Sequence, residues 1–87
     1  MKVRFIFRNK EGVQESRYDD SKEFDVAAIT ALLHSEVIHF AKKDGNLKTM
    51  ASVKIIDKIF NTYLDEPHLI VFIQEIEPTD HEYAFIG

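Results

Sequence analysis

Four histidines are the residues of this 87-residue chain whose chemistry first suggests a metal site. His34 and His39 are five positions apart, so on a helix their side chains point about 140° away from each other. The His-Glu-x-x-His arrangement instead places two histidines four apart, where they share one zinc ion. His68 and His81 have no partner at ligand spacing. The sequence therefore predicts no metal site.

A second set of candidates combines the residue types of nucleophilic catalysis. His34, Ser35 and Glu36 are consecutive, and consecutive positions on a helix point in different directions. The chain has no Gly-x-Ser-x-Gly elbow, no P-loop and no dinucleotide-binding glycine pattern, and it contains only three glycines. We therefore expect neither an enzyme nor a bound cofactor.

Basic residues at the start of the chain suggest a phosphate contact. Residues 2–8 alternate between apolar and other side chains, as a half-buried strand does. Phe5 and Phe7 fall on the opposite face from the cations, so they cannot stack on bases beside them. The net charge of −4 and the pI near 5.5 also oppose unspecific nucleic-acid binding. A nucleic-acid-associated factor is therefore the alternative function, with three cations as contacts: Lys2, Arg4 and Arg8.

Two other segments predict a surface that binds a protein. An acidic cluster precedes the central part of the chain, and such a cluster could occupy a basic groove on a partner. The apolar C-terminal tail, or an exposed sheet edge, could add to a partner's sheet or to a second copy in a homodimer. We therefore expect a non-enzymatic protein-interaction module that acts as a small acidic regulator or inhibitor of another protein. Its contact residues would be Asp19, Asp20, Glu23, Asp25, Tyr83, Phe85 and Ile86.

A long amphipathic helix over residues 25–43 is the element expected to organise the fold. Its apolar residues recur every three or four positions and form one stripe. Asp25 or Ser21 is suited to the N-cap. Gly45 or Asn46 would supply a left-handed residue at the C-terminal end of the helix.

Strands are expected on both sides of this helix. Residues 2–8 and 13–18 form a predicted hairpin, with Gly12 at a positive φ in the turn between them. Residues 68–77 form a predicted central strand, because residues 69–73 are all apolar. Residues 50–64 fit a strand or a second helix. The strand is slightly favoured by composition, and it would need a bulge near Asp57.

These elements together predict an α+β fold. It is a small antiparallel β-sheet in ββαββ-like order, packed against the helix over 25–43. The length fits one domain over residues 1–87. The chain has no cysteine, no signal peptide and no apolar run long enough to span a membrane. We therefore expect a soluble, cytoplasmic protein without a membrane partner.

Overall fold

The computed structural model describes residues 1–63 and 65–78, which form a mixed five-stranded sheet and one short helix. The sheet order is β2-β1-β5-β4-β3. β1 and β5 are parallel, and all other neighbours are antiparallel. The predicted α+β fold, an antiparallel sheet on one long helix, is therefore wrong. The elements are β1 Lys2–Arg8, β2 Asp20–Glu23, α1 Val26–His34, β3 Ile38–Asp44, β4 Leu47–Asn61 and β5 His68–Glu75, with a 3₁₀ turn at Ser16–Tyr18.

The sheet curls into a half-barrel. β1 and β3 are separated by two strands, which in a flat sheet places them about 14 Å apart. The ring of Phe40 on β3 nevertheless lies 5.7 Å from that of Phe5 and 5.8 Å from that of Phe7, both on β1. The curl therefore brings the two ends of the sheet together around an aromatic core.

The core lies on the concave side, which we call the inner face. β1 and β5 alternate between buried and more exposed residues, which confirms the half-buried pattern predicted for β1. α1 covers part of the same side through Leu32, with Ile29 packed against the core. The buried apolar residues are Val3, Phe5, Phe7, Tyr18, Leu32, Phe40, Ala51, Val53, Leu69, Val71 and Ile73.

The helix is much shorter than predicted. It begins after Asp25, whose carboxylate accepts a hydrogen bond from the Ala28 N–H at 2.8 Å, so the predicted N-cap is confirmed. It ends at His34, and residues 38–43, which the sequence predicts as helix, lie in β3. The prediction is wrong here because Phe40 reaches the core from a strand, and because β3 pairs with β4 along its whole length. Gly45 has φ +61 in the hairpin turn rather than in a helix cap.

The second predicted strand, residues 13–18, is also wrong. Only Gln14 forms a bridge to β1, and the chain then turns through Ser16–Tyr18. Tyr18 is the reason, since its ring packs edge-on against that of Phe7 at 5.3 Å and is buried there. The strand that pairs with β1 follows at Asp20–Glu23. Gly12 has φ +82, which confirms the predicted turn.

β4 resolves the ambiguity of residues 50–64 in favour of a strand. It runs from Leu47 to Asn61 and pairs with both β3 and β5. Its register against β5 shifts between Ile55 and Asp57, which confirms the predicted bulge. The bulge keeps Ile55 against the core while Asp57 is exposed. β5 is confirmed as a central strand, although it ends at Glu75.

One lysine lies among the core aromatics. Lys42 Nζ is 3.3 Å from Glu75 Oε1, 4.7 Å from the ring centroid of Tyr18 and 5.3 Å from that of Phe7. Both members of the ion pair are largely buried. Water therefore screens the pair less than it screens a pair on the surface.

We expect Lys42 and Glu75 to be energetically coupled. A double-mutant cycle with Lys42→Met and Glu75→Gln, followed by urea unfolding, should give a coupling of about 1 kcal/mol. The more exposed pair of Lys10 and Glu77, 2.7 Å apart, is the control and should give no measurable coupling. Equal couplings for the two pairs would show that burial does not strengthen the inner one.

Candidate functional site

The predicted acidic contact residues have partners inside the protein. Asp19 accepts a hydrogen bond from the Phe7 N–H at 2.9 Å and so joins the 3₁₀ turn to β1. Asp20 accepts from the Ser21 N–H at 2.8 Å, and its other oxygen is 3.7 Å from Lys43 Nζ on β3. The Asp20–Lys43 pair crosses the opening of the half-barrel. Both carboxylates therefore help to hold the fold.

The remaining two acids of this cluster lie at the start of the helix. Glu23 is 3.5 Å from the ammonium group of Met1, and Asp25 is the N-cap of α1. Both residues are exposed. A role for the four acids in partner binding stays a prediction, and each of them has a structural contact as well.

The convex side of the sheet, which we call the outer face, combines apolar and basic residues from several strands. Residues opposite each other on paired strands share a face. Arg4 is opposite Ile70 on β5, and Ile70 is opposite Ile59 on β4. In the next such row, Ile6 is opposite Phe72. The outer face therefore carries an apolar centre, which we call the apolar patch: Ile6, Ile59, Ile70 and Phe72.

The cations predicted from the sequence border this patch. Lys2 and Arg4 are exposed, and neither side chain forms an ion pair or hydrogen bond within residues 1–63 and 65–78. The guanidinium carbon of Arg8 lies 5.7 Å from the ring centroid of Phe72, a cation–π contact. The structure thus leaves two cations available beside the patch, with a third held over its aromatic ring.

An open cleft of about 600 Å³ lies at one end of the outer face. It brings together basic and acidic residues that the sequence assigned to two different functions. Both cations and carboxylates line it, so the cleft is polar and of mixed charge. Its lining residues are Lys2, Arg4, Asp19, Asp20, Ser21, Glu66 and His68.

Sequence reasoning missed the apolar patch. The apolar run of residues 69–73 predicts a central strand that is apolar on both faces. Within the described part of the chain, the strands of the sheet contact mainly one another and the 3₁₀ turn. The helix α1 packs on the inner face. Ile70 and Phe72 of β5 are therefore half-exposed on the outer face, and no element among the described residues covers them.

The histidines lie on different elements, His34 on α1, His39 on β3 and His68 on β5. Within the described ranges, no group of three or more histidine, aspartate or glutamate side chains is placed to hold a metal ion. His81 falls outside the described residues. The tail residues predicted to bind a partner, Tyr83, Phe85 and Ile86, do so as well, and their role stays a prediction.

No protein-family model matches the chain, and no curated protein or solved structure matches it either. Among residues 1–63 and 65–78, none of the helical structure has the length and apolar character needed to cross a bilayer.

Proposed function

We propose that this protein is a non-enzymatic protein-interaction module whose outer sheet face binds an acidic segment of a partner protein. The observation that carries the proposal is the apolar patch lying beside the free cations Lys2 and Arg4. Buried apolar area gives affinity, and charges at its rim select the partner and speed its association.

Charge complementarity defines the partner. Cations outnumber acids on the outer face, although the whole chain carries a net charge of −4. A partner with acidic residues around an apolar anchor would complement this face and would be repelled by much of the remaining surface. The described charges on the outer face of the strands are the cations Lys2, Arg4, Arg8, Lys43, Lys48 and Lys54 and the acids Glu23 and Asp57.

The aromatic ring gives the face a preformed anchor point. The Arg8 guanidinium carbon lies 5.7 Å from the Phe72 ring centroid, so each side chain restricts the motion of the other before a partner binds. Aromatic residues and arginine dominate the energetically important centres of protein interfaces. Preordered side chains lose less conformational entropy on binding, which favours affinity.

Reversal of one charge should abolish most partner binding. Arg4→Glu on the outer face should reduce the protein captured from a nuclease-treated host lysate by about tenfold, which corresponds to about 1.4 kcal/mol. Lys22→Glu is the matched control, because Lys22 is an exposed strand cation opposite Val3 on the other face of the sheet. Capture that is equal for wild type and Arg4→Glu would contradict the proposal.

A nucleic acid is the second candidate ligand for this face. The sequence argues against it because Phe5 and Phe7 lie on the other face of β1 from the cations. Phe72 of β5, however, lies on the same face as these cations and could stack on a base. Binding of a single-stranded oligonucleotide should then weaken steeply between about 50 and 200 mM salt. Loss of all captured partners after nuclease treatment would favour this candidate over the first.

The setting of the module follows from its composition. We place it in the cytoplasm, because a chain without cysteine has no disulfides to gain from an oxidising compartment. A regulator or inhibitor fits a small domain that presents one sheet face to a partner. The exposed acid Asp25, at the start of α1, would lie outside the face that makes the contact and would keep the free module soluble.

A further inference from the structure

Part of β4 has an unpaired edge. β3 pairs with β4 only over residues 47–53, whereas β5 pairs with its other side over residues 53–61. In residues 1–63 and 65–78, no backbone hydrogen bond reaches the open side of residues 54–61. The Lys58 N–H donates to the Asp57 carboxylate at 2.8 Å, and the other N–H and C=O groups along this side are free to pair with another strand.

This edge is apolar on both faces of the sheet. Ile59 is 48% exposed and belongs to the outer face, while Phe60, opposite Leu69, points to the inner side and is 55% exposed. The bulge lies before Asp57, so residues 57–61 form a regular strand without proline or glycine. An uncovered apolar edge of this kind favours pairing with another strand.

The other two edges of the sheet are better protected. β2 has only four residues, and short edge strands pair poorly with other chains. β3 faces the 3₁₀ turn across the half-barrel opening, where Lys43 pairs with Asp20. The free part of β4 is therefore the edge of the described sheet that is most available for pairing.

We propose that a second copy of this chain pairs antiparallel along residues 57–61 of β4, around a two-fold axis at Ile59. A two-fold axis perpendicular to the sheet places each residue opposite one on the same face. Ile59 then lies opposite Ile59 of the second copy. Lys58 lies opposite Phe60, and Asp57 lies opposite Asn61.

Charge disfavours the two registers that place the axis one or two residues earlier in β4. An axis at Asp57 would place two carboxylates opposite each other, and an axis at Lys58 would oppose two ammonium groups, both of which are destabilising. The axis at Ile59 opposes two apolar side chains at the centre. Asp57 can accept a hydrogen bond from the Asn61 amide, and Lys58 can lie over the Phe60 ring.

The dimer would also extend the outer face. The row of Arg4, Ile70 and Ile59 would continue through Ile59 of the second copy to its Ile70 and Arg4, giving one symmetric surface. The dimer does not depend on which ligand the outer face binds. Its failure would leave the proposed partner binding by a monomer intact.

Sedimentation equilibrium of the full chain tests the proposal. The wild type should show a monomer–dimer equilibrium, and Ile59→Lys, which opposes two charges at the axis, should raise the dimer dissociation constant at least about tenfold. Val26→Lys is the control, because Val26 is 81% exposed on α1, away from this edge, and should leave dimerisation unchanged. A monomer at all concentrations up to about 1 mM, or a dimer that survives Ile59→Lys, would overturn the proposal.

A cysteine at the axis gives a second test that does not depend on a destabilising charge. Opposed residues of antiparallel strands have Cα atoms about 4.5–5.5 Å apart, which suits a disulfide. Because the chain has no cysteine, Ile59→Cys introduces a single thiol. Under mild oxidation it should form a covalent dimer much faster than Met50→Cys, a similarly exposed position on the same strand. Equal rates would overturn the proposed axis.

Discussion

Replacement of Phe7 by alanine should lower the free energy of unfolding by about 3–5 kcal/mol. Phe7 is fully buried, and its ring contacts those of Phe40 and Tyr18 as well as the ammonium of Lys42. The substitution removes one of the two aromatic contacts that join β1 to β3 across the half-barrel and leaves a cavity between them. The loss is a large part of the total stability of a small domain, which is about 5–15 kcal/mol. Urea unfolding followed by circular dichroism measures it.

Tyr63→Ala is the control for this experiment. Tyr63 is an aromatic residue that is 95% exposed, so its truncation should change stability by less than about 0.5 kcal/mol. A similar loss for Phe7→Ala and Tyr63→Ala would mean that the aromatic cluster is not the core of the fold.

Asp19→Ala should cost about 1–3 kcal/mol of stability, although the sequence suggested only a surface role for this residue. The substitution leaves the Phe7 N–H without its acceptor in a partly buried position. Asp19→Asn keeps an oxygen in the same place and should recover most of the loss. The measurement is again the free energy of unfolding in urea.

The control for Asp19 is Asp44→Ala. Asp44 is an exposed carboxylate at the end of β3, without a hydrogen bond or ion pair in the described part of the chain. Its removal should change stability by less than about 0.5 kcal/mol. If Asp19→Ala and Asp44→Ala lowered the free energy of unfolding equally, the hydrogen bond from the Phe7 N–H to Asp19 would not stabilise the turn. Asp19 would then have only the surface role that the sequence suggested.

The local sequence pattern was sufficient to predict β1, β4 and β5 as strands. β1 follows the period of two in its sequence, and β5 follows from its apolar run. β4 could be favoured as a strand because β-branched residues dominate it, and the position of its bulge follows from the need to keep Ile55 inward. These features depend on residues close together in the chain.

The prediction of a long helix was wrong because the spacing of apolar residues after residue 37 fits both a helix and a strand. Phe40 lies on a stripe of helical spacing with Val37, and in a strand it shares one face with Ile38 and Lys42. A Gly-Asn pair at residues 45–46 between two alternating segments favours a two-residue hairpin turn. The structure has this hairpin, with Asp44 paired to Leu47, in place of the end of a helix. Burial of Phe40 against Phe7, a contact between distant segments, then stabilises the strand.

The outer face could be predicted only in part. The shared face of Lys2, Arg4 and Arg8 follows from alternation within one strand. The apolar patch does not, because Arg8 and Phe72 meet through the parallel pairing of β1 with β5, which joins the two ends of the chain. No local pattern gives the register of such a pairing.

Site-specific photo-crosslinking is the most direct test of the outer face as the binding surface. Benzoylphenylalanine in place of Ile70 lies on that face, and in place of Lys22 it lies on the other face of the sheet. In irradiated host cells, the Ile70 position should crosslink to a protein other than a second copy of this chain, and the Lys22 position should not. Crosslinks from Lys22 alone, or crosslinks from Ile70 to nucleic acid alone, would contradict the account of this protein as a protein-binding module.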